Sequence, residues 1–295
     1  MANDLNQASD SFVQRFLLED LDIRGAMVRL GSSWQAMQAD RAYPAIVTRL
    51  LGEMTATATL IGSNLKQPGR LSFQLSGHGR LKALILDCTQ DLKIRGMARF
   101  DPDITDAPLQ ELVGDGRLLL TLDNPQAHLP YQSFVPLEGD SIAEVFEHYL
   151  AQSEQLPARL FLAANGEAVA GLFLQKLPSA DTRDPDGWTR IAHLASTVKP
   201  DELLTLDPET LLARLFAEED KRLYEAREVT YHCPEDWDKV RGMLLQLGRS
   251  EVEAILSEHG EVVIRDDICN RDYRFSAANI AELFNGATPP PPTLH

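Results

Sequence analysis

Cysteine is scarce in this sequence. Three residues, Cys88, Cys233 and Cys269, are found in a chain of 295. Three cysteines cannot build the disulfide framework of a small secreted protein, and an odd number is typical of the reducing cytosol. The N-terminal segment MANDLNQASD is polar and acidic, unlike a secretory signal. We therefore expect a cytoplasmic protein.

Basic residues are also few. Lys and Arg total 28 against 44 Asp and Glu, which gives a formal net charge of -16. No dense basic run offsets this charge, so a nucleic-acid partner is not expected. An acidic surface also disfavours anionic membranes, and no stretch approaches the roughly 20 apolar residues of a transmembrane helix. We expect neither nucleic acid nor membrane as a partner.

The motifs of common enzyme classes are missing. The sequence has no Walker-type phosphate loop, no GxGxxG, no HExxH and no GxSxG. Its seven histidines are scattered, and Cys88 reads as a buried residue at the end of a strand. The sequence therefore predicts a protein that is not an enzyme and binds no nucleotide.

Hydrophobic periodicity predicts a mixed α/β domain over residues 1–216. Alternating apolar and polar residues predict the strands Ser11–Leu18, Ile23–Leu30, Arg70–Leu75, Leu81–Asp87, Lys93–Phe100, Leu118–Leu122, Gln132–Pro136, Leu160–Ala163 and Ala168–Gln175. Helical spacing and capping residues predict the helices Tyr43–Leu65, Ser141–Glu154, Trp188–Val198 and Pro208–Phe216. Turn residues between the strands of 70–100 favour an antiparallel meander. The fold class expected for the whole chain is α+β.

The C-terminal part reads as a separate small module. A charged run opens a predicted linker over residues 217–230, and an α+β module follows over 231–284. Residues 285–295 form a proline-rich tail that we expect to be disordered. Within the module, a cysteine turn, a helical segment, a strand and a second cysteine turn follow one another. This order is similar to that of small metal-clipped modules.

An ordered set of stretches resembles one known family. The stretches are IRGAMVRL, AYPAIVTRLLGEMTATATLIGSNLK, GRLSFQLSGHGRLKALILD, IRGMARFD, HYLAQSEQLP, RLFAEED, GRSEVEAILSEHGE and ICNRDYRF. Together they are similar to the bacterial heat shock protein 33 family, also called the 33 kDa chaperonin. The resemblance implies an ATP-independent holdase that binds unfolding proteins. It also implies an N-terminal α/β domain, a helical linker, a C-terminal zinc-binding redox switch, and the capacity to form a homodimer.

The chain departs from the family at the switch. The family uses four cysteines, as C-x-C and then C-x-x-C. Here Cys233 occupies one cysteine position of the C-x-C pair, and Glu235 stands at the other. Cys269 occupies one cysteine position of the C-x-x-C pair, and Asp266 stands at the other. The two local disulfides of the family therefore cannot form, which weakens or removes the regulation that the resemblance implies.

Three states of the two cysteines remain open from the sequence. Zinc could be held by Cys233, Cys269, Asp266 and Glu235, because zinc accepts mixed sulfur and oxygen ligands. His232 is a further candidate, although its adjacency to Cys233 makes joint ligation awkward. The module could instead bind no metal. Finally, oxidation could join the cysteines, 36 positions apart, in one disulfide worth ~3–4 kcal/mol in the chain-entropy model.

The sequence thus predicts a holdase for unfolded or partly folded client proteins. Without four thiolates, we expect activation by heat or constitutive activity, with weak dependence on peroxide. The client-binding side chains are not identified by the sequence. The candidate surfaces are the linker Ala217–Thr230 and the apolar sheet face of the first domain. The alternative function is a non-chaperone binding module that docks one specific partner.

Overall fold

A computed structural model describes residues 9–65, 68–127 and 129–286 of the chain. The described chain divides into two compact units, with the boundary between His232 and Cys233. The first unit contains two larger apolar clusters and the second unit contains a smaller one. The fold is α+β, as the sequence predicts.

The first unit combines two sheets with helices on their faces. Its strands are β1 (Phe12–Leu18), β2 (Ile23–Leu30), β3 (Arg70–Ser76), β4 (Leu81–Thr89), β5 (Lys93–Phe100), β6 (Arg117–Asp123), β7 (Tyr131–Val135), β8 (Ala158–Ala164), β9 (Val169–Lys176), β10 (Lys221–Leu223), β11 (Arg227–Glu228) and β12 (Thr230–Tyr231). Its helices are α1 (Ser32–Gln38), α2 (Ala45–Gly62), α3 (Leu109–Val113), α4 (Ile142–Ser153), α5 (Ala180–Arg183), α6 (Gly187–Ala195), α7 (Pro200–Thr205) and α8 (Pro208–Leu215). The predicted strands correspond to β1–β9, and the predicted helices to α2, α4, α6 and α8.

The two sheets have different strand orders. The first sheet runs β10-β1-β2-β9-β8, all antiparallel, with β11 also paired to β1. The second sheet runs β12-β5-β4-β3-β6-β7, and it contains the predicted antiparallel meander of β3, β4 and β5. Strand β12 joins β5 in parallel, so the second sheet is mixed.

Helix α2 lies between the two sheets and is buried on nearly all sides. A helix surrounded by apolar neighbours carries apolar residues around its whole circumference. The buried polar residues of α2 are Thr48, Glu53 and three further threonines. The hydroxyls of these three donate to the carbonyl four residues earlier: Thr55 to Leu51 at 2.6 Å, Thr57 to Glu53 at 2.9 Å and Thr59 to Thr55 at 2.8 Å. These bonds satisfy the hydroxyls of Thr55, Thr57 and Thr59, as burial of a polar side chain requires.

Helices α5–α8 cover the opposite face of the first sheet, and we call residues 180–215 the helical cover. They pack on side chains from β1, β2 and β9 in a cluster separate from that of α2. Pro200 and Pro208 stand at the first position of α7 and α8, where a missing N–H costs nothing. The sequence predicts only that Pro200 ends the preceding helix. In the structure α6 has already ended at Ala195, and Pro200 begins a new helix.

The prediction of a helical linker over residues 217–230 is wrong. This segment carries β10 and β11 and runs into β12, and these strands pair with β1 and β5. Lys221 and Leu223 are half-buried while Arg222 between them is exposed. An edge strand exposes alternate side chains to water, so it tolerates the charges that suggested a solvated linker.

The second unit is a hairpin packed against three helices. Its elements are α9 (Trp237–Leu247), α10 (Arg249–His259), β13 (Val262–Asp266), β14 (Arg271–Phe275) and α11 (Ala277–Gly286). Its buried apolar side chains are Val240, Leu244, Val252, Val262, Tyr273, Phe275 and Ile280. So small a core contributes little free energy of folding, and additional links between elements matter more.

The sequence prediction places the start of the C-terminal tail too early. Residues 285 and 286 complete α11, because helical periodicity continues through Leu283 and Phe284. The remaining tail, 287–295, which includes the proline run Pro289–Pro292, lies outside the described residues.

Candidate functional site

The two cysteine turns of the second unit meet. Cys233 precedes α9, and Cys269 lies in the turn that joins β13 to β14. The structure joins the two sulfurs in a disulfide whose Cα atoms are 5.7 Å apart, a separation in the usual range for such a bond. Of the three states left open by the sequence, this geometry corresponds to the third.

An aromatic contact holds the first turn against the hairpin. The backbone N–H of Asp236 donates to the hydroxyl of Tyr273 at 2.9 Å, and Tyr273 is fully buried. The Trp237 ring stands edge-on to Tyr273 and Phe275, with centroids 4.8 and 5.7 Å away. Asp236 also caps α9 by accepting a hydrogen bond from the backbone N–H of Lys239 at 3.0 Å. These contacts fix Cys233 beside the β13–β14 turn.

The two carboxylates of the cysteine turns, Asp266 and Glu235, have protein partners. Asp266 Oδ1 accepts hydrogen bonds from the backbone N–H of Ile268 at 3.0 Å and of Cys269 at 3.2 Å. Glu235 Oε2 accepts a hydrogen bond from Trp237 Nε1 at 2.7 Å. Asp266 therefore closes its own turn, as aspartate side chains commonly do, and Glu235 is held by the first residue of α9.

Arg271 was not identified from the sequence as part of this site. Its Nη2 donates to the backbone carbonyl of Cys233 at 3.5 Å, and its Nη1 lies 3.8 Å from Glu235 Oε1. A guanidinium on β14 thus contacts the turn that precedes α9. The sequence signal is slight, since arginines are frequent in this region and only the packing of the hairpin selects this one.

The candidate zinc ligands do not fit a metal in this arrangement. Among the residues that the structure describes, no three His, Cys, Asp or Glu side chains are grouped to share a metal ion. The sulfurs of Cys233 and Cys269 are bonded to each other, and structural zinc is bound through thiolates. The Arg271 guanidinium next to Glu235 adds a positive charge that disfavours a cation. The further candidate His232 belongs to the first unit, where its backbone N–H donates to Ile94.

The third cysteine, Cys88, belongs to the first unit. Cys88 is completely buried on β4, and its sulfur lies where a side chain at Gly62 would otherwise project. Burial raises the pKa of the Cys88 thiol to about 12. A thiol with so little thiolate at neutral pH is a poor nucleophile, so Cys88 has the structural role that the sequence predicts.

The apolar sheet face that the sequence offers as a client-binding candidate is covered. Its side chains lie under the helical cover and include Phe16, Leu18, Ile23, Met27, Leu172 and Leu174. We call these six residues the covered face. The cover contributes Ile191, Leu203, Leu211, Leu212 and Leu215, and Phe216 follows directly. The cover and the sheet therefore bury apolar surfaces that would both be exposed if they separated.

A smaller apolar surface is exposed at the edge of the second sheet. Tyr131 and Phe134 lie on the edge strand β7 and Leu129 precedes it; their exposed fractions are 60%, 65% and 80%. An edge strand with exposed aromatic side chains can pair with another extended chain.

In the described part of the chain, no helix is long and apolar enough to cross a membrane.

Comparison with known proteins places the chain in one family. The family model described as Hsp33 protein matches residues 11–276. A 33 kDa chaperonin of Methylobacillus flagellatus is 39% identical over 280 residues, covering 94% of this chain and 95% of that protein. A 33 kDa chaperonin of Pseudomonas aeruginosa is 41% identical over 281 residues, covering 93% and 94%.

A solved structure agrees with this assignment at the level of the fold. The crystal structure of a 33 kDa chaperonin (heat shock protein 33 homolog) from Thermotoga maritima matches with a TM-score of 0.81 and 23% identity. The match covers 94% of this chain and 99% of that one. Because the family model matches the chain from β1 to the end of β14, this protein belongs to the Hsp33 family.

Proposed function

We propose that this protein is an ATP-independent holdase that binds unfolding proteins and prevents their aggregation. The observation that carries the proposal is the covered face, an apolar sheet surface buried under short helices in a member of the Hsp33 family. A holdase needs apolar surface that is hidden at rest and exposed under stress. The function requires neither catalysis nor a nucleotide.

The helical cover is suited to separating from the sheet. It consists of four short helices, the longest of nine residues, and helices of this length depend on tertiary packing rather than on their own stability. Its loss would uncover the side chains of the sheet and the apolar sides of the helices together. Both surfaces can then contact exposed apolar segments of a client.

Several polar contacts join the cover to the rest of the first unit. Lys176 of β9 pairs with Asp181 of α5 at 2.6 Å, and Arg190 of α6 pairs with Glu219 at 3.0 Å. Arg29 Nη1 donates to the Thr205 carbonyl at 3.3 Å, and Arg183 Nη1 donates to the Glu19 carbonyl at 2.9 Å. Within the cover, Arg214 pairs with Glu202. Exposed contacts of this kind contribute at most about 1 kcal/mol each. Apolar packing therefore determines how readily the cover opens.

The trigger that we propose is heat or mild unfolding, with weak dependence on peroxide. The family's local disulfides cannot form here, because Glu235 and Asp266 stand at two of the four cysteine positions. Oxidation consequently has no local disulfide by which to open the second unit. Raising the temperature, in contrast, weakens the packing of a small cover directly.

The experiment that tests the function is an aggregation assay with several unrelated heat-labile clients, monitored by light scattering without ATP. A holdase suppresses aggregation of all of them at about stoichiometric ratios. Suppression of none of them would overturn the proposal and favour the alternative, a module that docks one specific partner. Bovine serum albumin at the same mass concentration controls for nonspecific protection.

A further inference from the structure

We propose that the disulfide between Cys233 and Cys269 staples the second unit, so that oxidation stabilises this unit instead of opening it. The proposal concerns a modification site and the part that Arg271 and the two replacement carboxylates take in it. Only its consequence for activity rests on the proposed holdase function.

The arrangement of cysteines leaves one pairing. One cysteine remains in each turn, so no disulfide can form within a turn, and Cys88 is completely buried in the first unit. The turn before α9 and the β13–β14 turn nevertheless bring Cys233 and Cys269 to a Cα separation of 5.7 Å. The one disulfide that the second unit can form by itself therefore joins its two turns.

The surrounding side chains hold the two turns through hydrogen bonds and charge, without a metal ion. Asp266 closes the second turn through the N–H groups of Ile268 and Cys269, and Glu235 is held by Trp237. Arg271 connects the turns, because it donates to the carbonyl of Cys233 and faces Glu235. A guanidinium thus supplies the positive charge between the turns, and each carboxylate serves as an acceptor for protein donors.

The chemistry balances with peroxide as the oxidant. One cysteine thiolate attacks a peroxide oxygen and forms a sulfenic acid, and the hydroxide that leaves takes a proton to become water. The second thiol then attacks the sulfenic sulfur, the S–O bond breaks, and a second water leaves. Two thiols and one hydrogen peroxide give one disulfide and two waters, and the two sulfurs lose two electrons in total.

The expected effect on the second unit is large. The bond closes a loop across 36 positions, and the chain-entropy model assigns such a loop about a 500-fold shift of the unfolding equilibrium. A unit whose core contains seven buried apolar side chains has little other stabilisation. Reduction should therefore make the second unit unfold far more often.

The experiment is hydrogen–deuterium exchange by mass spectrometry on the full chain, after peroxide and after dithiothreitol. Thiol counts should be one in the oxidised protein and three in the reduced protein. We expect peptides of α9, α10 and the β13–β14 hairpin to exchange at least tenfold faster after reduction, while those of α2 do not change. The double variant C233S/C269S should exchange like the reduced protein under both conditions, whereas C88S should respond like the parent.

Two results would overturn the proposal. One is equal exchange of the second unit in both redox states of the parent. The other is faster exchange after oxidation, together with about one zinc per chain in the reduced protein and its release by peroxide. An aggregation assay on the same samples separates the two proposals. If neither state protects clients while the exchange difference persists, the holdase function fails and the staple stands.

Discussion

Truncating a side chain beneath the helical cover should activate the protein. Leu212 in α8 is 1% exposed and belongs to the cluster between cover and sheet. Replacing a buried leucine with alanine costs about 3 kcal/mol, because it removes transfer free energy and leaves a cavity. If that cost falls on the closed cover, the opening equilibrium shifts by roughly 100-fold.

The assay compares client aggregation at a temperature where the parent protein gives little protection. Leu212→Ala should protect at that temperature, and residues 180–215 should exchange faster with deuterium than in the parent. Glu209→Gln is the matched control on the exposed side of α8 and should change neither result. A second control, Leu51→Ala, removes a completely buried leucine from α2 in the other cluster. It should lower thermal stability without the same gain in protection.

One result would contradict a client-binding role for the covered face. If Leu212→Ala increases exchange across residues 180–215 but does not increase protection of clients, exposure of the covered face is not what binds them. The exposed residues at β7 would then be the next surface to test. Phe134→Ser is the direct variant, since Phe134 is 65% exposed and its loss should leave the fold intact.

Three further predictions concern stability. Burial raises the pKa of Glu53, and Arg49, 3.5 Å away, opposes this rise. The folded state therefore holds the Glu53 proton more tightly than the unfolded state does, so stability falls as pH rises through the folded pKa. Glu53→Gln should therefore raise the melting temperature at neutral pH by a few degrees and flatten that dependence in pH-resolved calorimetry, and an unchanged profile would contradict it. Gly25→Ala should destabilise by roughly 1–3 kcal/mol or more, because a Cβ at Gly25 would come within 2.1 Å of the Phe16 ring; equal denaturation midpoints would count against the packing. Asp207→Ala should cost about 1 kcal/mol, since Asp207 accepts from the N–H of Thr210 at 2.9 Å as the cap of α8, whereas Asp207→Asn should retain most of the stability in urea titrations.

Elements with a strong local pattern were predicted from the sequence. Helix α2 was recognised because its apolar residues recur at helical spacing, and β3–β5 because turn residues separate alternating runs. Their boundaries differ from the structure by a few residues at most. In these segments the local preference and the tertiary packing favour the same structure.

Elements that depend on distant partners were missed. Helix α1 has no capping side chain at Gly31; its first N–H groups are bound by Asp10 and Ser11, which precede β1. Strands β10–β12 form because β1 and β5 supply partners more than a hundred residues away. No local signal reveals such pairings, and the charges of residues 217–222 favoured a linker instead.

The sequence identifies residues of the two cysteine turns but not the contacts that they make. The sequence identified the two cysteines and the replacement carboxylates, and it included the disulfide among three alternatives. It could not show that Asp266 and Glu235 are occupied by N–H donors, because those donors depend on the shape of each turn. Arg271 was missed for a related reason, since its contact with the Cys233 carbonyl exists only once the hairpin is packed.

Activation by heat instead of oxidation is tested most directly by client aggregation with reduced protein at constant temperature, with and without peroxide, and then at a raised temperature. We predict that peroxide converts Cys233 and Cys269 to a disulfide without increasing protection, and that warming alone increases protection. If peroxide instead converts an inactive protein to a fully active one at constant temperature, the account of the cysteine turns is wrong.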